Sequence, residues 1–496
     1  MPDVSSEQHG SRPLPAMATI VILAMLSLAA LVVALARMQI DRSATIEAGQ
    51  ANLAALWPFW IASACGWASL TAMWILLRRT PVGKSVVGFG RSVLLILTVA
   101  VTARVVVLFT HEPALSDDVY RYVFDGRNAA TGINPYLKAP DESFGVTEDA
   151  AENWPGQADL LPLINFPQLH TIYLPASQWV FASTGLAIMD DWSDPTSSAR
   201  VFRAVFIGFD LAVIIGLLIA LARAGRSPWW AVLYAWHPLP IAEFAGSGHL
   251  DSLGIALLVG ALLAYTKAPQ KIWEWTVMLA VGTLVKPVVL PVAALLLKGR
   301  PWPAWARSLA IGATVCVFIA GPLWLTHNAQ PLKNMVSTAE LFTLKWAHFG
   351  SVYEPMLWTI EKAQPKWTND QQEVLARRLC IAMVVAVVVV VWLRSRDVWA
   401  GSRMILFAMV LLSPAAHPWY LLWSLALMPM TRSPALWIAS LTLPWGYVVL
   451  GDVVSWSVSP WVMVAAYLPV YAALVFDAAK SLAVARRATR GSASRG

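Results

Sequence analysis

Residues 14–36 read LPAMATIVILAMLSLAALVVALA, an apolar run without a single ionisable side chain. A helix of about 20 residues crosses the ~30 Å hydrocarbon core of a bilayer, and it satisfies its own backbone hydrogen bonds there. Residues 51–77 form a second run of the same kind. The sequence therefore predicts an all-α, polytopic integral membrane protein.

The composition of the whole chain supports this prediction. Of the 496 residues 58% are hydrophobic and 13% charged, with a mean hydropathy of +0.59, whereas soluble domains carry about a quarter charged residues. The net charge of +7 does not indicate a nucleic-acid partner, because cytoplasmic loops of membrane proteins collect Lys and Arg. The three cysteines lie far apart and form no metal-ligand or disulfide pattern. The sequence thus indicates no cofactor, although a divalent metal stays open.

The length of the apolar windows predicts about eleven to thirteen membrane helices. The candidate runs are 14–36, 53–77, 92–110, 171–189, 204–222, 229–246, 252–266, 273–297, 308–325, 379–393, 404–430, 435–450 and 461–477. Two polar inserts, 111–170 and 327–376, interrupt them, and the tail 484–496 has the composition of a disordered segment. We expect one transmembrane domain over residues 1–496.

Basic residues predict the orientation of the chain, because cytoplasmic loops are enriched in them. The marked positions are Arg78, Arg79, Lys84, Arg91, Arg394, Arg396, Arg403, Arg486, Arg487 and Arg490. Counting spans from them places both polar inserts outside the cytoplasm, provided that 404–430 is a tight hairpin. If runs 171–189 and 204–222 both crossed the membrane, the basic loop at Arg223 and Arg226 would lie outside the cytoplasm. Either run 171–189 therefore does not cross fully, or this loop is an exception to the rule. The acidic segment DDWSDP (190–195) favours an incomplete crossing.

The first insert contains SDDVYRYVFDGR (116–127), the densest cluster of ionisable side chains in the chain. Ser116 suits an N-cap, and carboxylates of Asp117 and Asp118 in the first turn would complement the helix dipole. At helical spacing Asp118, Tyr122 and Asp125 share a face, and Asp117 lies four residues before Arg121. The motif fits a capped surface helix with internal ion pairs, and it also fits a catalytic helix.

Other polar groups occur at the ends of apolar runs or inside them, where charge is costly and usually functional. They are Glu243, His249 and Asp251; Lys286 beside Pro287; His417 and Tyr420; and His170. A snorkelling lysine or a capping histidine would explain any one of them; four such groups on one side favour a function. The chain has no HExxH, P-loop or GxGxxG motif, so hydrolase, kinase and dehydrogenase chemistries have no support.

A lipid-phosphate sugar donor would use these groups. Its phosphate sits at the membrane interface and needs a cation, and the hydroxyl that attacks its anomeric carbon needs a carboxylate base. The lipid tail explains why the whole protein is embedded in the membrane. The expected partners are therefore a polyprenyl-phosphate sugar donor, a glycan or glycolipid acceptor and the lipid bilayer, without nucleic acid.

Five segments together resemble the bacterial polyprenol-phosphate-mannose-dependent mannosyltransferases of the GT-C superfamily. They are SDDVYRYVFDGR…GINPY (116–136), FPQLHTIYLPASQ (166–178), HPLPIAEFAGSGHLDSL (237–253), LVKPVVLP (284–291) and HPWYLLW (417–423), and the similarity extends over roughly residues 90–425. The resemblance implies a GT-C-like bundle with extracytoplasmic loop helices. The large external loop follows the third span here rather than the first, which two extra N-terminal helices within 14–77 explain.

The resemblance also implies site residues. A catalytic acid in the first large external loop corresponds to Asp117 or Asp118. The positions expected to bind substrate are Arg121, Tyr122, Asp125, Arg127, His170, His249, Asp251, Lys286, His417 and Tyr420.

The sequence thus predicts an inverting glycosyltransferase of the bacterial inner membrane with its active site on the extracytoplasmic side. It would transfer a hexose, mannose by the resemblance, from a polyprenyl phosphate to a glycan or glycolipid. A transporter or lipid flippase also uses broken helices and midplane charges, but the inverted repeats that would favour one are not found in the sequence. A third interpretation, a catalytically inactive subunit of an envelope assembly complex, is disfavoured by the intact aspartate pair.

Overall fold

The computed structural model of the chain describes residues 14–41, 46–79, 88–143, 156–188, 192–451 and 456–493. Within these ranges the regular structure is helical, with α-helices, short 3₁₀ turns and a π-helix joined by loops, and β-structure is limited to isolated bridges between residues 348–349 and Ala415. The predicted all-α, polytopic class is confirmed. Lys84 and the last three residues of the predicted tail lie outside the described residues.

The first ten α-helices run from the N-terminus through the first insert to the middle of the chain. They are α1 Leu14–Ala36, α2 Ile46–Arg79, α3 Phe89–Thr110, α4 Asp118–Ala130, α5 Gln157–Leu160, α6 Pro175–Ile188, α7 Pro195–Arg223, α8 Val232–Ala235, α9 Pro238–Pro240 and α10 Asp251–Lys267. The other ten are α11 Ile272–Thr283, α12 Leu290–Leu296, α13 Trp302–Trp324, α14 Gln330–Lys345, α15 Tyr353–Ala363, α16 Asn369–Arg394, α17 Val398–Leu411, α18 Leu422–Leu425, α19 Pro434–Thr442 and α20 Pro460–Ala493.

Eight helical segments of the described part are long and apolar enough to cross a membrane. They are Met17–Ala36, Gly49–Arg79, Phe89–Thr110, Pro195–Arg223, Trp302–Trp324, Asn369–Arg394, Pro434–Gly451 and Pro460–Ala479. Their outward faces carry large apolar side chains such as Phe318, which is 81% exposed. Such surfaces require lipid. The other predicted runs are shorter or broken helices, which is why fewer continuous spans are found than the eleven to thirteen predicted.

Run 273–297 is a hairpin rather than one helix. Helix α11 ends at Thr283, a 3₁₀ turn follows at Pro287–Val289, and α12 returns. Proline lacks the amide hydrogen that a continuing helix needs. Arg300 Nη2 donates to the carbonyl of Pro269 (2.9 Å), so the chain leaves and returns at the same end. Lys286 therefore stands at the tip of a hairpin and not in the middle of a membrane helix.

Two further hairpins have the same design. In the first, 229–246 is a series of short turns ending in a π-helix, Ile241–Gly246, and α10 returns. Its turn needs Gly248 (φ +76°), where a Cβ would lie 2.7 Å from the side chain of Arg203. In the second, α17 is followed by a reversal at Ser413–His417 and a 3₁₀ turn, Pro418–Leu421. Run 404–430 is thus the predicted hairpin, with a return limb that contains only one short α-helix, α18.

Run 171–189 forms a helix that is too short to cross a bilayer. Helix α6 has only 14 residues, about 21 Å at 1.5 Å per residue, and it packs on α4. The two helices approach so closely that a Cβ on Gly185 would lie 2.4 Å from the carbonyl oxygen of Gly126. The length of α6 thus agrees with the incomplete crossing that the acidic segment favoured.

Because α6 is too short to reach the other end of the bundle, α7 starts at the same end of the bundle at which α3 ends. Arg203, near the start of α7, donates to the carbonyls of His111 (2.6 Å) and Val107 (3.1 Å) at the end of α3. Arg223, at the other end of α7, lies against the carbonyl of Leu263 near the end of α10. The basic loop at Arg223 and Arg226 therefore lies at the end of the bundle opposite to the end of α3.

Both polar inserts cover the end of the bundle where α3 ends. Asn134 of the first insert donates to the carbonyl of Leu323 (2.7 Å), just before the second insert. Asn334 of the second insert donates to the carbonyl of Tyr136 (2.9 Å) in the first. The three hairpin tips lie at this end too, whereas the basic clusters lie at the other. The structure thus divides into a polar end and a basic end.

One local prediction is revised by the structure. Helix α20 continues to Ala493, so residues 484–493 of the predicted disordered tail have a helical backbone, consistent with the high helix propensity of Ala and Arg.

Arg104 of α3 and Asp210 of α7 are fully buried. They form an ion pair with an Nε–Oδ2 distance of 2.5 Å. Tyr234 also donates to Asp210 (2.7 Å). This pair therefore serves the packing of α3 against α7.

Candidate active site

A cleft of about 280 Å³ opens at the polar end, between α4 and the three hairpin tips. Its volume lies near the lower bound of ligand pockets, roughly 300–1,000 Å³. Of the predicted site residues, those that line it are Asp117, Asp118, Arg121, Tyr122, His170, Asp251, Lys286, His417 and Tyr420. Asp125, Arg127 and His249 do not line it. Segments separated by up to 300 residues in the sequence therefore meet in one site.

Neither aspartate of the opening motif caps α4. The helix begins at Asp118, Asp117 occupies the N-cap position without a side-chain cap, and Ser116 Oγ accepts from the amide of Asp118 (3.3 Å). Asn165 donates a side-chain hydrogen bond to Asp117 Oδ1. Helix α4 ends at Ala130, and Gly132 takes the left-handed conformation (φ +82°) just beyond it. The capped-helix interpretation therefore does not account for the two carboxylates.

Asp118 is the more accessible carboxylate of the pair. Its side chain is 28% exposed and points into the cleft, with His249 Nδ1 3.7 Å from its Oδ2. Burial raises the pKa of Asp118; the neighbouring His249 lowers it, Asp117 raises it and Lys286 lowers it. A carboxylate with a raised pKa is a stronger proton acceptor than an ordinary aspartate.

Arg121 and Asp125 form a buried ion pair that shapes the wall of the cleft. Arg121 Nε lies 3.0 Å from Asp125 Oδ1, and Gln178 donates to Asp125 Oδ2 (2.8 Å). Arg121 Nη1 also donates to the carbonyl of Leu169 (2.9 Å). Asp125 is fully buried, so the geometry gives it a supporting role. Arg127 is likewise buried, outside the lining of the cleft.

Lys286 and Asp251 join the three hairpin tips. Lys286 Nζ lies 2.8 Å from Asp251 Oδ1 and 3.9 Å from the ring centroid of Tyr420. Trp423 Nε1 donates to the same oxygen of Asp251 (2.5 Å). The Lys286 side chain is 25% exposed, so this cation faces the cleft while its partner carboxylate is held from behind.

His249 lies behind Asp118, enclosed on all sides. Its Nε2 is 3.3 Å from Glu243 Oε2, and Glu243 also accepts from the hydroxyl of Tyr447. The imidazole stacks on Trp419, with ring centroids 4.3 Å apart. His249 is therefore placed to contact Asp118 rather than a substrate.

The stack of rings continues from Trp419 to His417 and His348. The centroid distances are 4.3 Å and 4.7 Å. Trp346 Nε1 donates to His417 Nε2 (3.0 Å), so that nitrogen carries a lone pair and the imidazole is neutral. Burial lowers the pKa of His417 well below its ordinary value and that of His348 to about 4. These histidines act as neutral polar aromatic groups.

Aromatic side chains form the wall of the cleft on the side of the second insert. Phe166 lies 6.0 Å from Phe342 and 5.3 Å from Trp346, and Trp346 lies 6.2 Å from Trp456. Phe166 and Trp456 hold positive φ angles of 50° and 49°, a conformation that costs energy in residues other than glycine. We call these four residues the aromatic wall. His170 lies outside the ring cluster, with its Nε2 3.7 Å from Glu142.

Sequence reasoning missed several residues of the site. Asn165 lies next to a recognised segment, and Glu243 was noticed but not assigned to the site. The aromatic wall and Tyr447 belong to no local motif. In a chain that is mostly apolar, the sequence does not distinguish the aromatic residues of a site from those that only pack. Within the described residues no group of three or more His, Cys, Asp or Glu could hold a metal ion.

The family model described as "alpha-(1->6)-mannopyranosyltransferase, N-terminal domain" matches residues 16–299. This range includes the aspartate pair, the His249 hairpin and Lys286. No curated protein and no solved structure matches the chain.

We predict that Asp125→Asn destabilises the protein without disabling its chemistry. Removing one partner of a buried ion pair leaves the Arg121 charge uncompensated, which costs about 3–5 kcal/mol. The measurement is the melting temperature in detergent, together with activity per folded molecule below the transition. Asp194→Asn is the control, because Asp194 is an exposed N-cap and Asn caps equally well. Normal stability with lost activity would instead assign Asp125 to substrate binding.

Proposed function

The chain belongs to the α-(1→6)-mannopyranosyltransferase family and is thus a membrane mannosyltransferase, and we propose that its donor is a polyprenyl-phosphate-linked mannose. The acceptor is a hydroxyl of a glycan or glycolipid, and Asp118 is the base. The observation that carries the proposal is the meeting of an accessible carboxylate, Asp118, and a partly exposed cation, Lys286, in one cleft. Together they supply the two charges that transfer from a sugar phosphate requires.

The reaction is a single displacement. Asp118 removes the proton of the acceptor hydroxyl as that oxygen forms a bond to C1 of the sugar, and the bond from C1 to the phosphate oxygen breaks. The electron pair leaves on the polyprenyl phosphate. One displacement at C1 inverts its configuration. Asp118 is favoured over Asp117 because Asp117 is 8% exposed and bound by Asn165, whereas Asp118 is open to the cleft.

Lys286 is the proposed contact of the donor phosphate. Its ammonium has three donors, and Asp251 occupies one of them. The Nη2 atom of Arg121, at the wall of the cleft, has no hydrogen-bond partner within the described residues and supplies a second donor nearby. Each cation is already paired with a carboxylate, Lys286 with Asp251 and Arg121 with Asp125, so the proposed contribution of both to the phosphate is their remaining charge-assisted hydrogen bonds.

The aromatic wall is the proposed platform for the acceptor. One face of a pyranose ring presents C–H groups, which pack on the negative face of an aromatic ring. The wall comes from the two polar inserts and residue 456, on the side of the second insert. The cleft thus draws on residues beyond the range matched by the family, so we propose that the whole chain forms one catalytic unit.

The polar end is proposed to face the outside of the bacterial inner membrane. Basic residues collect on the cytoplasmic side of membrane proteins, and the contacts of Arg223, Lys298 and Arg300 place basic residues at the end opposite to the cleft. This orientation gives the cleft access to cell-envelope glycans.

We predict that Asp118→Asn lowers kcat by about 10²–10⁴-fold, because an amide cannot accept the proton of the acceptor hydroxyl. The assay follows transfer from radiolabelled polyprenyl-phosphate mannose by protein reconstituted in vesicles, with melting in detergent as a check of folding. Asp117→Asn is the matched comparison and should lose less, since Asn can retain a hydrogen bond with Asn165. Full activity of Asp118→Asn would exclude this residue as the base.

We predict separable effects on the two substrates from Lys286→Met and Trp346→Ala. Loss of the cation also leaves the buried Asp251 carboxylate unpaired and should lower the melting temperature in detergent. In the protein that remains folded it should raise the KM for the donor at least about tenfold, the order expected for a hydrogen bond to a charged group, and leave the acceptor KM near normal. Loss of the indole should raise the acceptor KM and leave the donor KM unchanged. If both variants raised the same KM, the assignment of the two sides of the cleft would be wrong.

We predict that a cysteine at Thr326, exposed at the polar end, reacts with a membrane-impermeant thiol reagent in intact spheroplasts. A cysteine at Ala224, exposed beside Arg223, should react only after permeabilisation. Both variants are made in a chain whose three native cysteines are replaced. The reverse pattern would place the cleft in the cytoplasm.

A further inference from the structure

Three buried polar atoms behind Asp118 lack a hydrogen bond of good geometry within the described residues. They are both ring nitrogens of His249 and Oε2 of Glu243. His249 is 1% exposed and Glu243 fully buried. Since more than about 90% of buried polar groups in proteins are paired, such a group of atoms requires an explanation.

These atoms lie in a row that starts at Asp118. His249 Nδ1 is 3.7 Å from Asp118 Oδ2, and His249 Nε2 is 3.3 Å from Glu243 Oε2. In a neutral His249 the Nε2–H group can donate to Glu243, and the lone pair of Nδ1 can accept from Asp118 once that carboxyl group carries a proton. The row ends at the hydroxyl of Tyr447, which donates to the other oxygen of Glu243.

The surrounding backbone holds this row in place. Glu243 belongs to the π-helix, a local distortion frequent at functional sites, and the amide of His249 donates to the carbonyl of Glu243 (3.0 Å). Arg203 donates to the carbonyl of Ala245 (2.8 Å) in the same segment. The stack on Trp419 fixes the plane of the imidazole.

We propose that Glu243 and His249 form a proton relay behind Asp118, in which Glu243 fixes the tautomer of His249 and His249 receives the proton that Asp118 removes. Glu243 accepts the Nε2 proton, which leaves the lone pair of Nδ1 facing Asp118. His249 and Glu243 are thus positioning residues that act through Asp118. The inference rests on the proposed function.

The proton balance of the relay is simple. The acceptor O–H bond breaks and the proton goes to Asp118, as described above. It then passes from Asp118 Oδ2 to His249 Nδ1, which restores the Asp118 carboxylate and leaves an imidazolium paired with the Glu243 carboxylate. The charge thus settles between two groups shielded from water, as in other arrangements where a buried carboxylate supports a histidine.

The relay makes a specific claim about pH. Several ionisable groups influence Asp118 from the surrounding elements, namely Asp117, His249, Asp251, Lys286, Tyr122, Tyr173 and Tyr420. Imidazole is the side-chain type whose charge changes near neutral pH. The relay requires a neutral imidazole at rest, because an imidazolium cannot take the proton from Asp118. When the pH falls, the first proton that the pair takes up therefore goes to the imidazole, which blocks the relay and sets the acid limb of the kcat/KM profile. Without the imidazole the limb is set by the Asp118 carboxylate, the weaker base of the two in the relay, and moves to lower pH.

The experiment measures kcat, both KM values and the pH profile of the full-length protein in vesicles. His249→Gln should lower kcat about 10²-fold or more, keep both KM values within about twofold and move the acid limb to lower pH. Glu243→Gln keeps its size and can still accept from Tyr447; it should lower kcat and move the limb in the same direction, because an imidazolium without its carboxylate is less stable. Glu354→Gln is the matched control, because Glu354 is a partly buried carboxylate outside the cleft. It should leave kcat and the acid limb unchanged.

The outcomes separate the relay from the function on which it rests. An active Asp118→Asn would refute the proposed base. The relay alone would be refuted if Asp118→Asn were inactive while His249→Gln and Glu243→Gln both kept a normal kcat and an unchanged acid limb. A rise in KM for His249→Gln without a shift of the limb would make His249 a substrate-binding residue and also overturn the relay. If His249→Gln fails to fold, Glu243→Gln decides between these outcomes.

Discussion

The ion pair between Lys286 and Asp251 is the interaction on which the rest of the site depends. Each partner belongs to a different hairpin, and a third hairpin contributes Tyr420 to the cation and Trp423 to the carboxylate. A single buried charge would be costly in a bundle that is surrounded by lipid. Pairing removes that cost only when the three tips meet in one arrangement, so the ion pair both permits the broken helices and fixes their relative positions.

Broken helices raise a second problem, because their backbone groups lose partners inside a membrane protein. Arg203 solves it at one place by donating to carbonyls at the end of α3 and in the π-helix. Asn165 and Gln178 donate side-chain hydrogen bonds to the carboxylates of Asp117 and Asp125. Much of the polar chemistry near the cleft therefore supports structure, and the candidate catalytic groups are those left accessible once the structural hydrogen bonds are made.

Two adjacent aspartates receive different environments in this way. Asp117 is bound and buried, whereas Asp118 faces the cleft with a raised pKa. Different environments for neighbouring carboxylates are a general means of giving them different tasks. Here the difference arises at the first turn of α4, where one side chain turns towards Asn165 and the next towards His249. The cleft thereby combines one proton acceptor, one cation and an aromatic wall.

The sequence by itself determined the membrane class, the two polar inserts and most of the polar residues that line the cleft. Long apolar runs have no alternative to a helix in lipid, and isolated charges in such runs stand out against their neighbours. It also indicated through an acidic segment that 171–189 crosses incompletely. Only the tertiary structure decided that Lys286 stands at the tip of a hairpin and that Gln178 binds the buried Asp125. The partners of His249 and the aromatic wall likewise depend on contacts between residues up to about 300 positions apart. Local periodicity cannot reveal such contacts, because they are selected by packing and charge pairing among segments that look alike in composition.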